Sequence, residues 1–458
     1  MRILFIHQNF PGQFRHIAQA WAARPGWQVL AIGRDTVPGV PGVQCLKYKP
    51  HRQTAPKQHP YLRRMEDAVL HGQAVARLLL DLKQQGFTPD AIVAHPGWGE
   101  TLYAKDVFPQ ARLIHLCEWF YGAEGSDVGF DPEFPAGFDD HARVRTWNAL
   151  HLLNLENCDI GVSPTEWQKS RHPAAYQHKI VVAHEGIDTE LLGPDPGAQI
   201  TLKSGLTLRA GDPVITYVAR NVEPYRGFHQ FMRALELIQV AHNTCHAVIA
   251  GGDSVSYGRR PADANHWREK MLRECKVDES RVHFLGKVPY DQYRKVLQVS
   301  AAHVYLSYPF VLSWSMLEAM ASGCVVIGSR TAPVQEVIRD RQNGMLVDFT
   351  SAQDIADKTL AALASPQLCI GIAARVSEDV NRQFARSAGL ASYEALLGQP
   401  RVKEPKPRSL CLSADRSIAA PVDSDSAGAV KTKATELGAR SDAEPKPLLE
   451  LRMRLSCH

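Results

Sequence analysis

Short apolar runs rich in β-branched residues alternate with longer amphipathic stretches from the first residue to about residue 350. Alternation of this kind is typical of βα units, which build a parallel sheet covered by helices. The first half of the chain predicts six strands, at residues 3–6, 28–32, 91–94, 113–116, 160–163 and 180–183. Between them, residues 66–84 carry leucines and valines at helical spacing and precede Gly86, a typical helix stop.

A turn-rich stretch at residues 193–197 interrupts this pattern, which begins again after Pro213. The second half predicts five more strands, at residues 214–219, 247–250, 282–285, 304–307 and 325–328. We therefore predict an α/β fold of two facing Rossmann-like domains, residues 1–200 and 201–380, with the ligand in the cleft between them.

Two further segments complete this prediction. Residues 381–398 are expected to form a terminal helix that packs back on the N-terminal domain. Apolar periodicity stops after that helix, so residues 399–458 are predicted to be a disordered tail.

Composition and charge exclude several classes of protein. A formal net charge of only +4 gives no reason to expect a nucleic-acid partner. The nine cysteines lack metal-ligand spacing and are expected to be reduced thiols. No apolar run approaches the ~18 residues of a membrane span. We expect a cytoplasmic protein whose membrane association, if it has one, is peripheral at the inner face.

The most informative stretch runs from residue 308 to 323, where a strand end is followed by a loop and an alanine-rich helix. The small residues Ser313 and Ser315, on either side of Trp314, would let a ligand approach the start of that helix. Free N–H groups and the helix dipole favour a diphosphate there. Glu318, one turn in, is placed to accept hydrogen bonds from two ribose hydroxyls, or else it only complements the helix dipole.

A second candidate element is a pair of cations six residues apart, Arg220 and Arg226, between a strand and a helix. Two cations at this spacing can straddle a diphosphate and neutralise the charge that develops on a leaving nucleotide. The alternative is that each arginine is a solvated loop charge.

These two elements resemble the donor site of glycosyltransferase family 4 (glycosyl transferases group 1), enzymes of the GT-B fold. Residues 317–323 match the second half of the two-glutamate motif of that family, so the resemblance implies a ribose-binding role for Glu318. It also implies diphosphate contacts for Arg220 and Arg226, where the family has an arginine and a lysine. The first glutamate of the motif is replaced by Phe310. An aromatic ring cannot accept hydrogen bonds from sugar hydroxyls, so we expect sugar recognition to differ from the common pattern.

In the first domain, three positions at strand ends are candidates for the cleft. A loop after the first strand contains Gly12, which would let it approach the transferring phosphates or the acceptor. One glycine, where a dinucleotide fingerprint needs three, disfavours a nicotinamide cofactor. His95 and Glu118 follow two other strands, and Glu118 lies where many members of the family have a histidine or aspartate near the acceptor. For both, the alternative is a hydrogen-bonded structural group.

Residues 37–64 contain no acidic side chain and accumulate cations, at Lys47, Lys49, Arg52, Lys57, Arg63 and Arg64. Such a stretch could bind anionic lipid or a phosphorylated acceptor carrier. It could equally be a solvated surface loop.

Together these features predict a hexosyltransferase that uses a nucleotide-diphosphate sugar and a saccharide or lipid-linked acceptor, in polysaccharide or glycolipid biosynthesis. No Asp-x-Asp element follows a strand, so no metal and no cofactor beyond the nucleotide-sugar co-substrate are expected. The resemblance implies retention of anomeric configuration. Two alternatives are a nucleotide-sugar epimerase of similar fold and a nucleotide-sugar-binding partner protein with weakened catalysis.

Overall fold

The computed structural model describes residues 1–365, 371, 372, 376 and 379–398; the tail predicted at 399–458 lies outside the described residues. The first domain contains a parallel seven-stranded sheet in the order β3-β2-β1-β4-β5-β6-β7. Its strands are β1 (Arg2–Ile6), β2 (Gln28–Arg34), β3 (Gln44–Tyr48), β4 (Ala91–Ala94), β5 (Arg112–Leu116), β6 (Ile160–Ser163) and β7 (Ile180–Val182). The six predicted strands are confirmed. The pattern missed β3 because this edge strand is only partly buried and carries the polar Lys47.

The second domain contains a parallel six-stranded sheet in the order β12-β11-β10-β13-β14-β15, and a two-stranded antiparallel pair precedes it. These strands are β8 (Gln199–Thr201), β9 (Thr207–Arg209), β10 (Val214–Asn221), β11 (His246–Gly252), β12 (Val282–Gly286), β13 (Ala302–Tyr305), β14 (Val326–Ser329) and β15 (Met345–Val347). The pair β8-β9 packs on the second sheet through Ile200 and Leu208. The boundary predicted near residue 200 falls at this pair.

Helices cover the faces of both sheets. They are α1 (Arg15–Ala22), α2 (Arg63–Gln84), α3 (Ala104–Val107), α4 (Phe138–Asn157), α5 (Glu166–Ser170), α6 (Ala174–Gln177), α7 (Phe228–Ala241), α8 (Trp267–Glu274), α9 (Tyr290–Gln298), α10 (Trp314–Ala321), α11 (Ala332–Gln335), α12 (Ala352–Ala364) and α13 (Arg386–Gly398). None of the helices in the described part of the chain has the length and apolar character that crossing a bilayer requires.

Each sheet reverses its strand order once, between β1 and β4 in the first domain and between β10 and β13 in the second. Ligands of doubly wound sheets bind outside the carboxyl ends of the strands at this point. The candidate residues at the ends of β1, β4, β10 and β13 therefore lie where such a fold binds its ligands.

The last described helix, α13, packs on the first domain, far from its neighbours in sequence. Tyr393 and Leu396 of α13 belong to the same apolar cluster as Trp21 of α1. Glu394 accepts a hydrogen bond from the Trp21 indole at 3.3 Å and pairs with Arg24. The core of the first domain is thus completed by the end of the described chain.

Candidate functional site

Arg220 and Arg226 line one pocket at the carboxyl end of β10, together with Ser313 and Ser315 from the start of α10. The structure therefore brings together the two elements that the sequence singled out. The same pocket is lined by residues that the sequence reasoning missed: Val218, Ala219, Asn221, Glu223 and Tyr257.

The two arginines differ in how they are held. Arg226 is buried, and its guanidinium donates to Ser307 Oγ at 2.7 Å, to Tyr305 Oη at 3.2 Å and to the Val311 carbonyl at 3.2 Å. Arg220 is exposed and makes no hydrogen bond or ion pair with any residue that the structure describes. Arg226 therefore shapes the pocket as well as charging it, whereas Arg220 is available to an anion.

The start of α10 opens on the arginine pocket. Ser313 is the N-cap, and its Oγ accepts a hydrogen bond from the Ser315 backbone N–H at 3.3 Å. The Ser313 backbone N–H donates to Tyr305 Oη at 2.9 Å, which ties the cap to the residue that also holds Arg226. The small side chains leave the helix end accessible from the arginine pocket.

Two tyrosines of α9 hold Glu318. Tyr293 donates to Glu318 Oε2 at 2.6 Å and Tyr290 donates to Oε1 at 3.2 Å. Burial raises the pKa of Glu318, and the two tyrosine hydroxyls act in the opposite direction. A carboxylate has about four acceptor sites, so it can accept two ribose hydroxyls beside the tyrosines.

Phe310 lies in a cluster of aromatic rings and does not line the arginine pocket. Its ring centroid lies 4.7 Å from that of Trp119, 4.9 Å from that of Tyr257 and 5.5 Å from that of Tyr225. The Arg226 guanidinium is 5.9 Å from the Phe310 ring. The position at which the resemblance places the first glutamate of the family motif is thus part of an apolar contact between the two domains.

A buried acid fixes one wall of the arginine pocket. Glu223 accepts backbone N–H groups from Ser256 at 2.8 Å, Tyr257 at 3.2 Å and Gly258 at 2.9 Å. Burial raises the pKa of Glu223, and these three hydrogen bonds oppose that effect. Glu223 thereby holds the loop that places Tyr257 over Arg226. A glutamate directly before Pro224 was visible in the sequence, but its partners lie more than 30 residues away.

On the opposite side, in the first domain, Glu118 is the centre of a hydrogen-bonded network. Gln13 donates to its Oε1 at 2.8 Å, and His95 Nε2 lies 3.2 Å from its Oε2. Burial acts to raise the pKa of Glu118, but the contacts with His95 and Gln13 outweigh it and the pKa is lowered. The Glu118 side chain remains 28% exposed, so an ionised carboxylate is accessible at the end of β5.

His7 and Gly12 complete this side of the site. His7 Nε2 lies 2.8 Å from Gln13 Oε1, and burial lowers the pKa of His7 to about 3. Gly12 has φ of +49°, and a Cβ there would lie 2.4 Å from the His7 ring. A larger residue at position 12 would therefore clash with the imidazole of His7. No pattern in the sequence indicated this contact. Its predicted contact with the donor stays a prediction.

Several contacts join the domains beside the pocket. Tyr225 donates to Asp127, and Tyr308 donates to Asp131 Oδ2 at 2.9 Å. In addition, Glu336 accepts the backbone N–H groups of Glu166 and Trp167 at the start of α5, at 2.7 and 2.8 Å.

One group of side chains within the described ranges has the spacing of a cation site: Asp131, Glu133 and His229, whose ligand atoms lie within 4.8 Å of one another. Arg233 already pairs with Glu133, with Nη2 to Oε2 at 3.0 Å, and His229 Nε2 lies 2.9 Å from Asp131. Because the Arg233 cation already balances Glu133, we assign no metal to this group.

Residues 25–192 match the sequence profile of the glycosyl transferase family 4 group, and residues 199–377 match that of the glycosyl transferases group 1. One relative is the N-acetyl-alpha-D-glucosaminyl L-malate synthase of Bacillus anthracis, 31% identical over 26% of this chain and 30% of its own length. Another is the GDP-mannose-dependent alpha-(1-6)-phosphatidylinositol monomannoside mannosyltransferase of Mycolicibacterium smegmatis, 26% identical over 58% of this chain and 70% of its own. The D-inositol 3-phosphate glycosyltransferase of Rhodococcus jostii is 28% identical over 49% of each chain.

Solved structures with similar folds include sucrose-phosphate synthase from Thermosynechococcus elongatus, with a TM-score of 0.64 and 18% identity over 86% of this chain and 98% of that one. The Anabaena protein Alr3699/HepE in complex with UDP has a TM-score of 0.61 and 15% identity over 87% of this chain and 99% of that one. At these identities the likeness shows the fold, two Rossmann-like domains with a cleft between them.

Proposed function

Because the chain belongs to the glycosyl transferases of family 4 and group 1, which have the GT-B fold, we propose that it transfers a hexosyl unit from a nucleotide-diphosphate sugar to a saccharide or lipid-linked acceptor. The observation that carries this proposal is the single pocket that Arg220 and Arg226 share with the start of α10. Two cations beside the positive end of a helix dipole suit an anion with two phosphates.

In the proposed reaction, an acceptor hydroxyl attacks the anomeric carbon of the donor sugar. A new carbon–oxygen bond forms, the bond from that carbon to the phosphate oxygen breaks, and the nucleotide diphosphate leaves with the electron pair and the hydroxyl proton. Arg220 and the start of α10 stabilise the charge on the leaving group. Arg226, buried in the wall of the same pocket, adds to the positive potential there. Glu118, ionised and accessible, orients the acceptor hydroxyl. We expect retention of configuration and no requirement for a divalent metal.

The proposal leaves two points to be tested: whether the donor carries guanine or uracil, and whether the acceptor is a saccharide or lipid-linked. A relative that is named as GDP-mannose-dependent and that acts on a phosphatidylinositol mannoside supports a guanine nucleotide and a lipid-linked acceptor. A fold neighbour solved with UDP-glucose supports a uracil nucleotide. Both donor classes belong in the first assay.

That assay incubates the protein with UDP- and GDP-sugars, with and without saccharide and lipid-linked acceptors, and measures release of nucleotide diphosphate. Release that rises with an acceptor supports the transferase. Interconversion of the donor sugar without an acceptor would instead support an epimerase, and binding without turnover for any acceptor would support a weakened partner protein. The matched control is Arg220→Ala, which should lose release in every condition.

We further propose that the basic stretch of the first domain contacts an anionic membrane at the cytoplasmic face. Lys49, Lys57 and Arg63 are exposed, and the neighbouring Leu62 is 46% exposed. Tyr61 donates to Asp139, so the basic stretch contacts the first turn of α4, where the side chain of Phe138 is 83% exposed. Exposed apolar side chains next to cations are the combination that a headgroup layer accepts.

Co-sedimentation with phosphatidylcholine vesicles, with and without phosphatidylglycerol, tests this contact. We expect binding that requires the anionic lipid and is lost in the double variant Lys57→Glu with Arg63→Glu. The control carries the same charge reversals at Lys203 and Lys276, exposed lysines of the second domain, and should bind like the wild type. Equal, negligible binding to both vesicles would remove the membrane proposal.

A further inference from the structure

A cavity of about 540 Å³ lies in the first domain, outside the arginine pocket. Three elements form its wall: α1 with His16 and Gln19, the loop after β7 with Asp188 and Thr189, and the start of α13 with Arg386. Small-molecule sites are typically clefts or cavities of about 300–1,000 Å³. The cavity is therefore large enough for part of a substrate that the reaction above leaves without a binding site.

The loop after β7 and the start of α13 hold each other in place. The Ile187 N–H donates to the Phe384 carbonyl at 2.7 Å, and the Arg386 N–H donates to the Ile187 carbonyl at 2.8 Å. A Cβ at Gly186 would lie 2.7 Å from the Arg386 Cα, so the two segments are in close contact. The Arg386 side chain then donates to Asp188 Oδ2 at 3.0 Å. These contacts make the cavity a preformed feature of the fold.

The charged groups of the wall balance one another. Arg386 pairs with Asp188, and its guanidinium also lies 3.8 Å from Glu190, whose side chain is 88% exposed. Burial lowers the pKa of His16, and the Arg386 charge acts in the same direction, so His16 is neutral at pH 7. Among the residues that line the cavity, no cation is left over for a phosphate. The cavity therefore favours an uncharged ligand.

The uncharged polar groups of the wall are free to bind. Four of them make no side-chain hydrogen bond with any residue in the described part of the chain: His16, Gln19, Thr189 and Ser387. An imidazole, an amide and two hydroxyls can both donate and accept hydrogen bonds, as sugar hydroxyls do. Leu390 adds an apolar surface, which suits the C–H face of a sugar ring. The lining thus matches the chemistry of a neutral saccharide.

The cavity lies beside the acceptor side of the cleft. His16 follows Gln13 by three residues, about 5 Å along a helix, and Gln13 donates to Glu118 Oε1 at 2.8 Å. The loop of the cavity wall continues to Leu191, whose carbonyl accepts a hydrogen bond from Arg294 of α9 at 3.4 Å. We propose that this cavity binds a neutral sugar unit of the acceptor, next to the unit whose hydroxyl is glycosylated at Glu118.

This inference rests on the proposed function and names the class of acceptor, an uncharged oligosaccharide. An acceptor of one sugar unit would contact the groups around Glu118 alone. An acceptor of two or three units would occupy the cavity as well and would gain its hydrogen bonds. The KM for the acceptor should therefore fall as the acceptor lengthens.

Initial rates of nucleotide diphosphate release test this dependence on length. The acceptors are the methyl α-glycosides of one, two and three glucose units and of one, two and three mannose units, each with UDP- and GDP-sugars. We expect the acceptor KM of the wild type to be about tenfold lower for the trisaccharide than for the monosaccharide, as two net hydrogen bonds would give. The double variant Gln19→Leu with Thr189→Val keeps the size of both side chains and should remove that difference.

The matched control carries the same two changes at Gln84 and Thr88, exposed residues of the first domain that do not line the cavity. It should keep the preference of the wild type for the trisaccharide, and melting temperatures of both double variants check that they fold. Ser387→Trp, which fills the cavity from the start of α13, should also remove the preference.

The inference is overturned if the acceptor KM of the wild type does not depend on length, or if the cavity variants keep the wild-type preference. Either result would leave the transferase itself intact. A wild type that releases no nucleotide diphosphate with any of these donors and acceptors would instead contradict the proposed function.

Discussion

The ring of Phe310 in the second domain lies edge-on against the indole of Trp119 in the first, with ring centroids 4.7 Å apart. The sequence resemblance places the first glutamate of the family motif at Phe310, and in the structure this position contributes to the contact between the domains. We therefore expect other groups at the cleft to recognise the sugar of the proposed reaction, and Glu118 with His95 of the first domain are candidates.

Phe310→Ala should destabilise the protein by about 3 kcal/mol, since it removes a buried aromatic ring. Phe310→Glu should also lower the melting temperature and should not raise turnover, because it places a carboxylate among aromatic rings. Phe138→Ala, at an exposed ring, is the control and should leave the melting temperature nearly unchanged. A gain of turnover in Phe310→Glu would show that the position still serves the sugar.

Alanine substitutions of the two arginines should have different effects on activity and on stability. Arg220→Ala should lower kcat/KM by about 100-fold or more with an unchanged melting temperature, because this side chain is exposed and unpaired among the described residues. Arg226→Ala should lower both quantities, because it leaves Tyr305, Ser307 and the Val311 carbonyl without their donor. Arg226→Lys keeps the charge but not the planar fork, so we expect partial recovery. Equal effects of the two alanine variants on melting would contradict this distinction.

Glu318→Ala should abolish donor binding or turnover, and Tyr293→Phe should weaken donor binding by a few fold. Tyr293 donates to Glu318 at 2.6 Å and fixes the carboxylate that we assign to the ribose. Tyr290→Phe is the matched control, since that hydroxyl lies at 3.2 Å on an exposed side chain and should have a smaller effect. Donor KM values for the three variants check the order. Wild-type KM in Glu318→Ala would remove the ribose assignment.

Glu118→Gln should lower kcat and leave the affinity for the nucleotide diphosphate unchanged, because Glu118 is assigned to the acceptor hydroxyl and not to the phosphates. Gln13→Leu removes the hydrogen bond to Glu118 Oε1 and should give a smaller loss of kcat. Turnover at saturating donor, measured beside nucleotide titration, separates the two quantities. A loss of nucleotide affinity in Glu118→Gln would place this acid on the donor side.

Stability should fall at acid pH because of buried histidines. Burial lowers the pKa of His115 and of His303 to about 3, so both are neutral in the folded chain and take up protons in the unfolded chain below about pH 6.5. The contribution of these two neutral histidines to the free energy of unfolding is fully present above pH 6.5 and is lost as the pH falls toward 3. The melting temperature should be lower at pH 5 than at pH 7.5, and His303→Gln should reduce that difference. An equal difference in the variant would exclude His303 as a source.

The sequence predicted eleven of the fifteen strands that the structure describes, and residues that directly follow them, because a buried strand and its polar end are local patterns; it missed β3, β8, β9 and β15. Arg220, Arg226 and Ser313 were found in this way, and the structure places all three around one pocket. Contacts between distant segments have no local signal. Gln13 and Glu118 are 105 residues apart, and Glu336 caps a helix that begins 170 residues earlier.

The same reason hid the packing around Gly12. A Cβ at Gly12 would meet the His7 ring, and nothing in the local sequence indicates that contact. The approach of a ligand to this loop stays a prediction.

The packing of α13 on the first domain also bears on the order of events during synthesis. Tyr393 and Leu396 fill the core of a domain whose first strand begins at Arg2, so that core lacks its last layer until almost 400 residues have been translated. A nascent chain usually folds its leading domain first. Here the second domain, whose sheet ends at Val347, has all of its strands before the first domain has its closing helix. Helix α13 therefore completes the core of the first domain last.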